Sequence, residues 1–283
     1  MPISGLWNKS NTTIVEIITK IVSADLRYAL FDFDGTLSLI REGWQDIMIP
    51  YFIEVLMQTP QAKDEKAVES TVTEFVDRLT GKQTIFQCIK LDEEVVLRGG
   101  HPTEPGVYKK EYLRRLENRI KSRLEELREN CDPQKYLVSG SLRLLELLTK
   151  EGYNLYLASG TDEPDVLAEA ELLELTHFFG EHIYGAKENE TACSKETVIK
   201  RIVQENNLTG TEMVAFGDGF VEIELVAGIG GYTVGVATDE TQRSGIVNQR
   251  KRKRLLEAGA DMIVPDFNCA ENLAAFLSGK KVS

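Results

Sequence analysis

Short apolar runs bounded by turn residues recur along the chain, and the stretches between them repeat apolar positions three and four apart. The runs at 27–33, 154–158, 212–216, 232–237 and 261–264 read as buried strands. The segments 141–150, 165–175, 195–206 and 247–258 read as helices. Strand and helix in alternation predict an α/β fold, a doubly wound parallel sheet covered on both faces. The stretch 42–132 breaks this rhythm. It offers helical patterns at 46–57, 65–79, 84–90 and 107–130 and no convincing strand. The last is strongly charged, with Arg and Glu spaced to pair across helical turns. The expected organisation is a core domain over 1–41 and 133–283, with an α-helical cap domain, 42–132, inserted after the first strand. Residues 1–20 read as an amphipathic helix, capped near Asn11 or Thr12, that leads into that strand.

Composition narrows the function classes. With 283 residues, 42% of them hydrophobic and 28% charged, the chain can bury sizeable cores and has the balance of a globular protein. The net charge of -12 argues against nucleic-acid binding and against anionic membranes, both of which favour basic surfaces. It does not exclude a phosphorylated ligand, because a bound cation reverses local charge. Cys88, Cys131, Cys193 and Cys269 include no CxxC pair, and His101, His177 and His182 form no HExxH. Neither a disulfide framework nor a zinc site is expected, and the thiols read as reduced, in a cytoplasmic protein. The N-terminus lacks the basic start and long apolar run of a signal peptide, and no apolar stretch is long enough to span a bilayer. Nothing in the sequence speaks to oligomeric state.

Four segments carry candidate chemistry. In the first, an apolar strand runs into Asp32, Phe33, Asp34, Gly35 and Thr36. Residues two apart in extended chain point the same way, so Asp32 and Asp34 converge at the carboxyl end of the strand, where open α/β sheets bind ligands. Two carboxylates there repel each other unless a cation or proton intervenes, and magnesium suits such an oxygen-rich, incomplete set. Gly35 allows the sharp turn. The same pattern also occurs in ordinary acidic turns. In the second segment, strand 154–158 ends in Ser159, Gly160 and Thr161, and Asp162 and Pro164 supply helix-start chemistry, a candidate anion site. Serine there is more often a turn former or cap. In the third, Lys195 opens a helix and could neutralise phosphate as a point charge, with Lys200 a rival deeper in the helix. In the fourth, strand 212–216 runs into Gly217 and Asp218, and Glu222 follows one helical turn later, placed to hold a metal's water shell or Lys195.

The order of these four segments resembles the haloacid dehalogenase superfamily, over about residues 24–41 and 135–278. The sequence around Val234, Gly235 and Val236, and that from Ala258 to Asp261, looks like the family's closing elements. The resemblance implies a Rossmann-like core and a set of roles. Asp32 would be the nucleophile that forms an aspartyl-phosphate, and Asp34 the acid that protonates the leaving oxygen and then activates water. Mg2+ would be held by the Asp32 carboxylate, the Asp34 backbone carbonyl and the Asp218 carboxylate, with Glu222 a direct or outer acidic partner. Gly35, Thr36, Ser159, Gly160 and Lys195 would serve the phosphoryl group. Asp34 argues against dehalogenation, which needs no leaving-group acid, and Thr36 is typical of the family's phosphatases. A helical insert after the first motif implies a cap that closes over a small phosphorylated metabolite. Two features depart from the common pattern: Glu222 stands where aspartate is commoner, and the insert is long.

Several residues stay open between function and packing. Arg41 and Trp44 lie near the expected cap hinge and read either as substrate contacts or as an exposed arginine and a cap-core tryptophan. Gly81, Lys82, Gln83 and Thr84 form a cap loop that could face the site. The basic run 250–254 reads as the exposed face of a helix. A sugar-phosphate mutase of the same superfamily and a noncatalytic metabolite-binding module remain as alternatives. A dinucleotide site at Gly228, Ile229, Gly230 and Gly231 is discounted, because that stretch precedes a strand instead of following one.

Overall fold

A computed structural model describes residues 15–19, 25–62, 64–129, 131–187 and 195–280. The strands are β1 (Glu16–Ile17), β2 (Tyr28–Phe31), β3 (Asn154–Asp162), β4 (Ile183–Ala186), β5 (Met213–Gly217), β6 (Tyr232–Val236) and β7 (Met262–Val264). They form one seven-stranded sheet in the order β1-β7-β6-β5-β2-β3-β4. All neighbours pair in parallel except β1, which runs antiparallel to β7 at one edge. The chain therefore leaves β2 for β3 on one side and returns through β5 on the other. That change of direction is where such sheets open a crevice at their carboxyl ends.

Buried apolar strands make this core. β5 and β6 are buried along their whole length. Phe31 of β2 stacks on Phe216 of β5, with ring centroids 4.4 Å apart, and Phe179 and Phe267 pack edge-on against this pair. The two stacked rings are paired in register. They sit immediately before Asp32 and Gly217, so their packing fixes the spacing of the two acidic turns. Such a pair adds about 0.5–1.5 kcal/mol beyond its burial.

The helices of the core are α5 (Ser141–Lys150), α6 (Glu163–Leu172), α7 (Thr176–Phe179), α8 (Lys195–Glu205), α9 (Val221–Gly228), α10 (Gln249–Glu257) and α11 (Ala270–Leu277). Between β2 and β3 stand α1 (Gln45–Met57), α2 (Glu65–Arg78), α3 (Thr84–Leu97) and α4 (Pro105–Arg128), with no strand among the described residues of this stretch. α1 packs on α2 and α3 on α4, and α4 also touches α6. α4 begins at a proline, which suits a first turn whose N–H groups have no helical partner.

Four elements differ from the sequence reading. β4 was not foreseen: it is a four-residue edge strand with a glycine. Residues 16–17, read as part of a helix, form β1 instead. The β-branched residues Val15, Ile17 and Ile18 favour extended chain once β7 offers an edge. The remainder of that helix reading lies outside the described residues. β3 continues four residues past Ala158, through a register shift against β4. The helix expected over 165–175 is α6, which stops at Leu172, ahead of Glu174 with its positive φ of 57°, and a separate α7 starts at Thr176. No helix among the described residues is long and apolar enough to cross a membrane.

Candidate active site

The loop after β2 is built from backbone bonds. Leu37 and Ser38 N–H both donate to the Phe33 carbonyl, and Gly35 N–H donates to the Ser38 carbonyl. This turn needs Gly35 at φ 76°. A Cβ there would also lie 2.5 Å from Asp218 Oδ2. Gly35→Ala should therefore cost at least about 1 kcal/mol in urea unfolding from the left-handed backbone alone, and it should displace Asp218 as well. A variant with wild-type stability and activity would contradict this geometry.

Asp32 is buried, with 5% of its surface exposed. Its Oδ1 accepts the Phe33 N–H and lies 2.7 Å from Lys195 Nζ. Burial pushes the Asp32 carboxyl well above its ordinary range, Lys195 pulls back against that, and Glu222 and Asp218 add to the push. Lys195, the first residue of α8, is equally buried and also donates to Glu222 Oε2 at 2.7 Å. Burial works against its charge, but the two carboxylates outweigh burial and hold its pKa above the usual lysine value. Glu222 Oε1 accepts the Gly219 N–H at 3.2 Å. Both oxygens of Glu222 are therefore engaged. Of the roles expected for this residue, the contact with Lys195 is the one these bonds make. Gly217 makes room for it: a Cβ there would lie 1.8 Å from Glu222 Oε1. Lys200, the rival, is an exposed residue paired with Glu196.

Asp34 is held from β3. Ser159 Oγ and Thr161 Oγ1 lie 3.2 Å and 2.8 Å from its Oδ2, while its buried Oδ1 has no partner among the described residues. Thr161 was expected only within the candidate anion turn, with no role at Asp34. It reaches Asp34 only because β3 runs on past its apolar stretch, a continuation that the polar residues Ser159 to Asp162 concealed. Asp162 makes no helix cap; its carboxylate pairs with Lys109 of α4 at 2.6 Å. Thr36 is fully buried, and its hydroxyl has no partner among the described residues.

Asp218 follows β5. Its Oδ2 meets Lys251 Nζ of α10 at 2.7 Å, and Lys251 also meets Glu240 Oε1 at 2.5 Å. The Asp218 carbonyl accepts from Arg254 Nη2 at 2.8 Å. The basic run 250–254, expected as an exposed face, is split: Arg250 and Lys253 are exposed, while Lys251, Arg252 and Arg254 are partly buried. Only Lys253 within the α10 part of this run is both exposed and without a partner beyond α10, its neighbour being Glu257.

The donors at this edge are oxygens: the carboxylates of Asp32 and Asp218 and the backbone carbonyl of Asp34, with one buried Asp34 carboxylate oxygen unpartnered among the described residues. Among the described residues no three acids, histidines or cysteines are gathered into a ready-made cage. Magnesium, which keeps several waters and takes substrate oxygens, needs no such cage. On the chemistry of its donors the set fits that ion.

Two hollows adjoin the site. A cavity of about 340 Å³ is lined by Gln83, Phe86, Ser159, Gly160, Lys195 and Phe220. Its roof is the loop between α2 and α3: a Cβ on Gly160 would strike the Lys82 carbonyl at 2.6 Å, and Gly219 lies against Gly81. A wider groove of about 1380 Å³ runs between α4 and α6 past Arg41, Lys109 and Asp165. It includes none of the four motif residues Asp32, Ser159, Lys195 and Asp218. Arg41 is neither exposed nor free, since it donates to Glu169 at 2.7 Å and Asp165 at 3.0 Å. Burial raises the Glu169 carboxyl to about 7, with Arg41 opposing. Trp44 is partly buried against the main core.

Solved structures share this architecture. A predicted phosphoglycolate phosphatase from Haemophilus somnus superposes with a TM-score of 0.56 at 17% identity, covering 88% of this chain and 98% of that one. A putative beta-phosphoglucomutase from Bacteroides vulgatus gives 0.56 at 15% identity, covering 92% of each. A phosphonoacetaldehyde hydrolase-like protein from Oleispira antarctica gives 0.55 at 14%, covering 98% and 99%. At such identities the likeness speaks to the fold. No curated protein matches the chain in sequence. The family of haloacid dehalogenase-like hydrolases matches over residues 26–230, and with its acids, lysine and sheet edge arranged as described, this chain belongs to that family of hydrolases.

Proposed function

We propose that this chain is a magnesium-dependent phosphatase that hydrolyses a small phosphorylated metabolite through an aspartyl-phosphate on Asp32. The observation that supports this best is convergence. Four segments far apart in sequence bring Asp32 with Asp34, Ser159, Lys195 and Asp218 to one sheet edge, with Lys195 bridging Asp32 and Glu222. The structural neighbours named as a phosphatase and as a phosphoglucomutase agree with phosphoryl chemistry.

In this reading the division into a core, 1–41 and 133–283, and a cap, 42–132, serves the reaction. The cap loop roofs the smaller cavity, whose volume suits a small ligand, and closure excludes water during the first transfer. Asp32 attacks phosphorus, a P–O bond forms to its carboxylate, and the bond to the leaving oxygen breaks. Asp34 gives that oxygen its proton. Water then attacks the same phosphorus, Asp34 takes the proton, and Asp32 leaves as carboxylate. Ser159 and Thr161 orient Asp34 through Oδ2. Lys195, with the Gly160 N–H, offsets negative charge on the phosphoryl oxygens, and Gly35 and Thr36 shape the turn beside them. The carboxylates of Asp32 and Asp218 and the backbone carbonyl of Asp34 would hold the metal, which supplies charge neutralisation for an anionic nucleophile meeting an anionic phosphate. Glu222 acts by holding Lys195.

The test is phosphate release from a panel of phosphorylated metabolites, with magnesium and after chelation. Release that falls on the order of 10²–10³-fold with EDTA and returns with magnesium is expected. Undiminished release from metal-free enzyme would remove the metal from the reading. No release, with transfer of phosphate between sugar hydroxyls, would make the chain a mutase.

A further inference from the structure

Helix α10 turns its cations toward the acids of the sheet edge and its surroundings. Arg252 binds Glu16 of β1, Arg250 binds Asp77 of α2, and Arg254 holds the Asp218 carbonyl. Lys251 is the most enclosed of the helix's ion-paired cations. Its side chain is 14% exposed, between Asp218 at 10% and Glu240 at 17%. Asp218 Oδ2 and Glu240 Oε1 would lie 2.5 Å and 3.1 Å from a Cβ on Gly35, so both acids press on the first motif's own turn. The edge therefore holds two relays of the same composition. Glu222–Lys195–Asp32 borders the smaller cavity, and Glu240–Lys251–Asp218 lies behind Asp218. The family resemblance accounts for the first of these only.

We propose that Lys251 and Glu240 are positioning residues that set how strongly Asp218 holds a divalent cation, with Lys251 the internal competitor for its carboxylate and Glu240 the tether that shares the ammonium. This rests on the reading of Asp218 as a metal ligand. The ammonium already neutralises part of the charge that a cation would use, and like charges a few ångströms apart in a low-dielectric site repel strongly. Glu240 draws on the same ammonium and so leaves Asp218 more available. Opposite effects follow from removing the two partners of one ion pair. A purely structural salt bridge gives no such opposition, since breaking it from either side loses the same contact.

The experiment is titration of Mn2+ into the full chain by calorimetry, for wild type, Lys251→Met, Glu240→Gln and the double variant. Lys251→Met should bind Mn2+ about tenfold more tightly, Glu240→Gln about tenfold more weakly, and the double variant within a few-fold of wild type. Should Lys251→Met alone fold poorly, the comparison of the double variant with Glu240→Gln still isolates the lysine, and it must show tighter binding. Both single variants moving the same way, or neither moving, would overturn the inference while leaving the phosphatase reading intact if wild type binds Mn2+ and releases phosphate. No Mn2+ binding by wild type would overturn both.

Discussion

Asp32→Asn should reduce phosphate release on the order of 10³-fold or more while leaving the fold in place. The amide keeps the volume and can still accept the Phe33 N–H, so Phe31, Phe216 and the β2–β5 pairing have no reason to move. What it loses is the anion that attacks phosphorus. It also loses the charge that holds Lys195 at 2.7 Å, so the lysine should rest on Glu222 alone. The measurement is turnover beside a thermal melt. Loss of activity with an intact melt identifies chemistry; retained activity would sink Asp32 as nucleophile.

Asp34→Asn should impair both halves of the reaction, and unequally across substrates. An alkyl phosphate needs a proton on its departing oxygen, whereas an aryl phosphate with a weakly basic leaving group hardly does. Loss on the order of 10²–10³-fold is expected for the alkyl substrate, and a smaller loss in the first step for the aryl one. With the aryl substrate, release of the phenol should then outrun release of phosphate, because the second step still lacks its base. Ser159 and Thr161 remain able to bond the amide oxygen, so a steric explanation is weak. Equal losses on both substrates would remove Asp34 from the acid role.

The site was legible where chemistry and local pattern coincide. An apolar strand that ends in Asp32 and Asp34, and another that ends in Gly217 and Asp218, announce themselves because strand burial and acid placement are both local. The paired register of Phe31 with Phe216 then does the joining. The parts that were not legible depend on packing between distant segments. Thr161 looks like a turn residue until β4 extends β3 alongside it. Lys251 sits in a run of basic residues on a highly polar helix, and nothing local distinguishes it from Lys253; only the docking of α10 buries one and exposes the other. Arg41 likewise looks free until α6 brings Glu169 and Asp165 against it. β1 and β4 are short edge strands of two and four residues, too brief to show a period.

The covalent intermediate tests the central claim most directly. Asp34→Asn enzyme should be mixed with an aryl phosphate and magnesium, quenched in acid, and its peptides weighed by mass spectrometry. One phosphoryl group on the peptide that contains Asp32, absent when Asp32 is also replaced by Asn, is the predicted result. Phenol release without any phosphorylated Asp32 peptide would mean direct attack by water, and an aspartyl-phosphate mechanism would be contradicted.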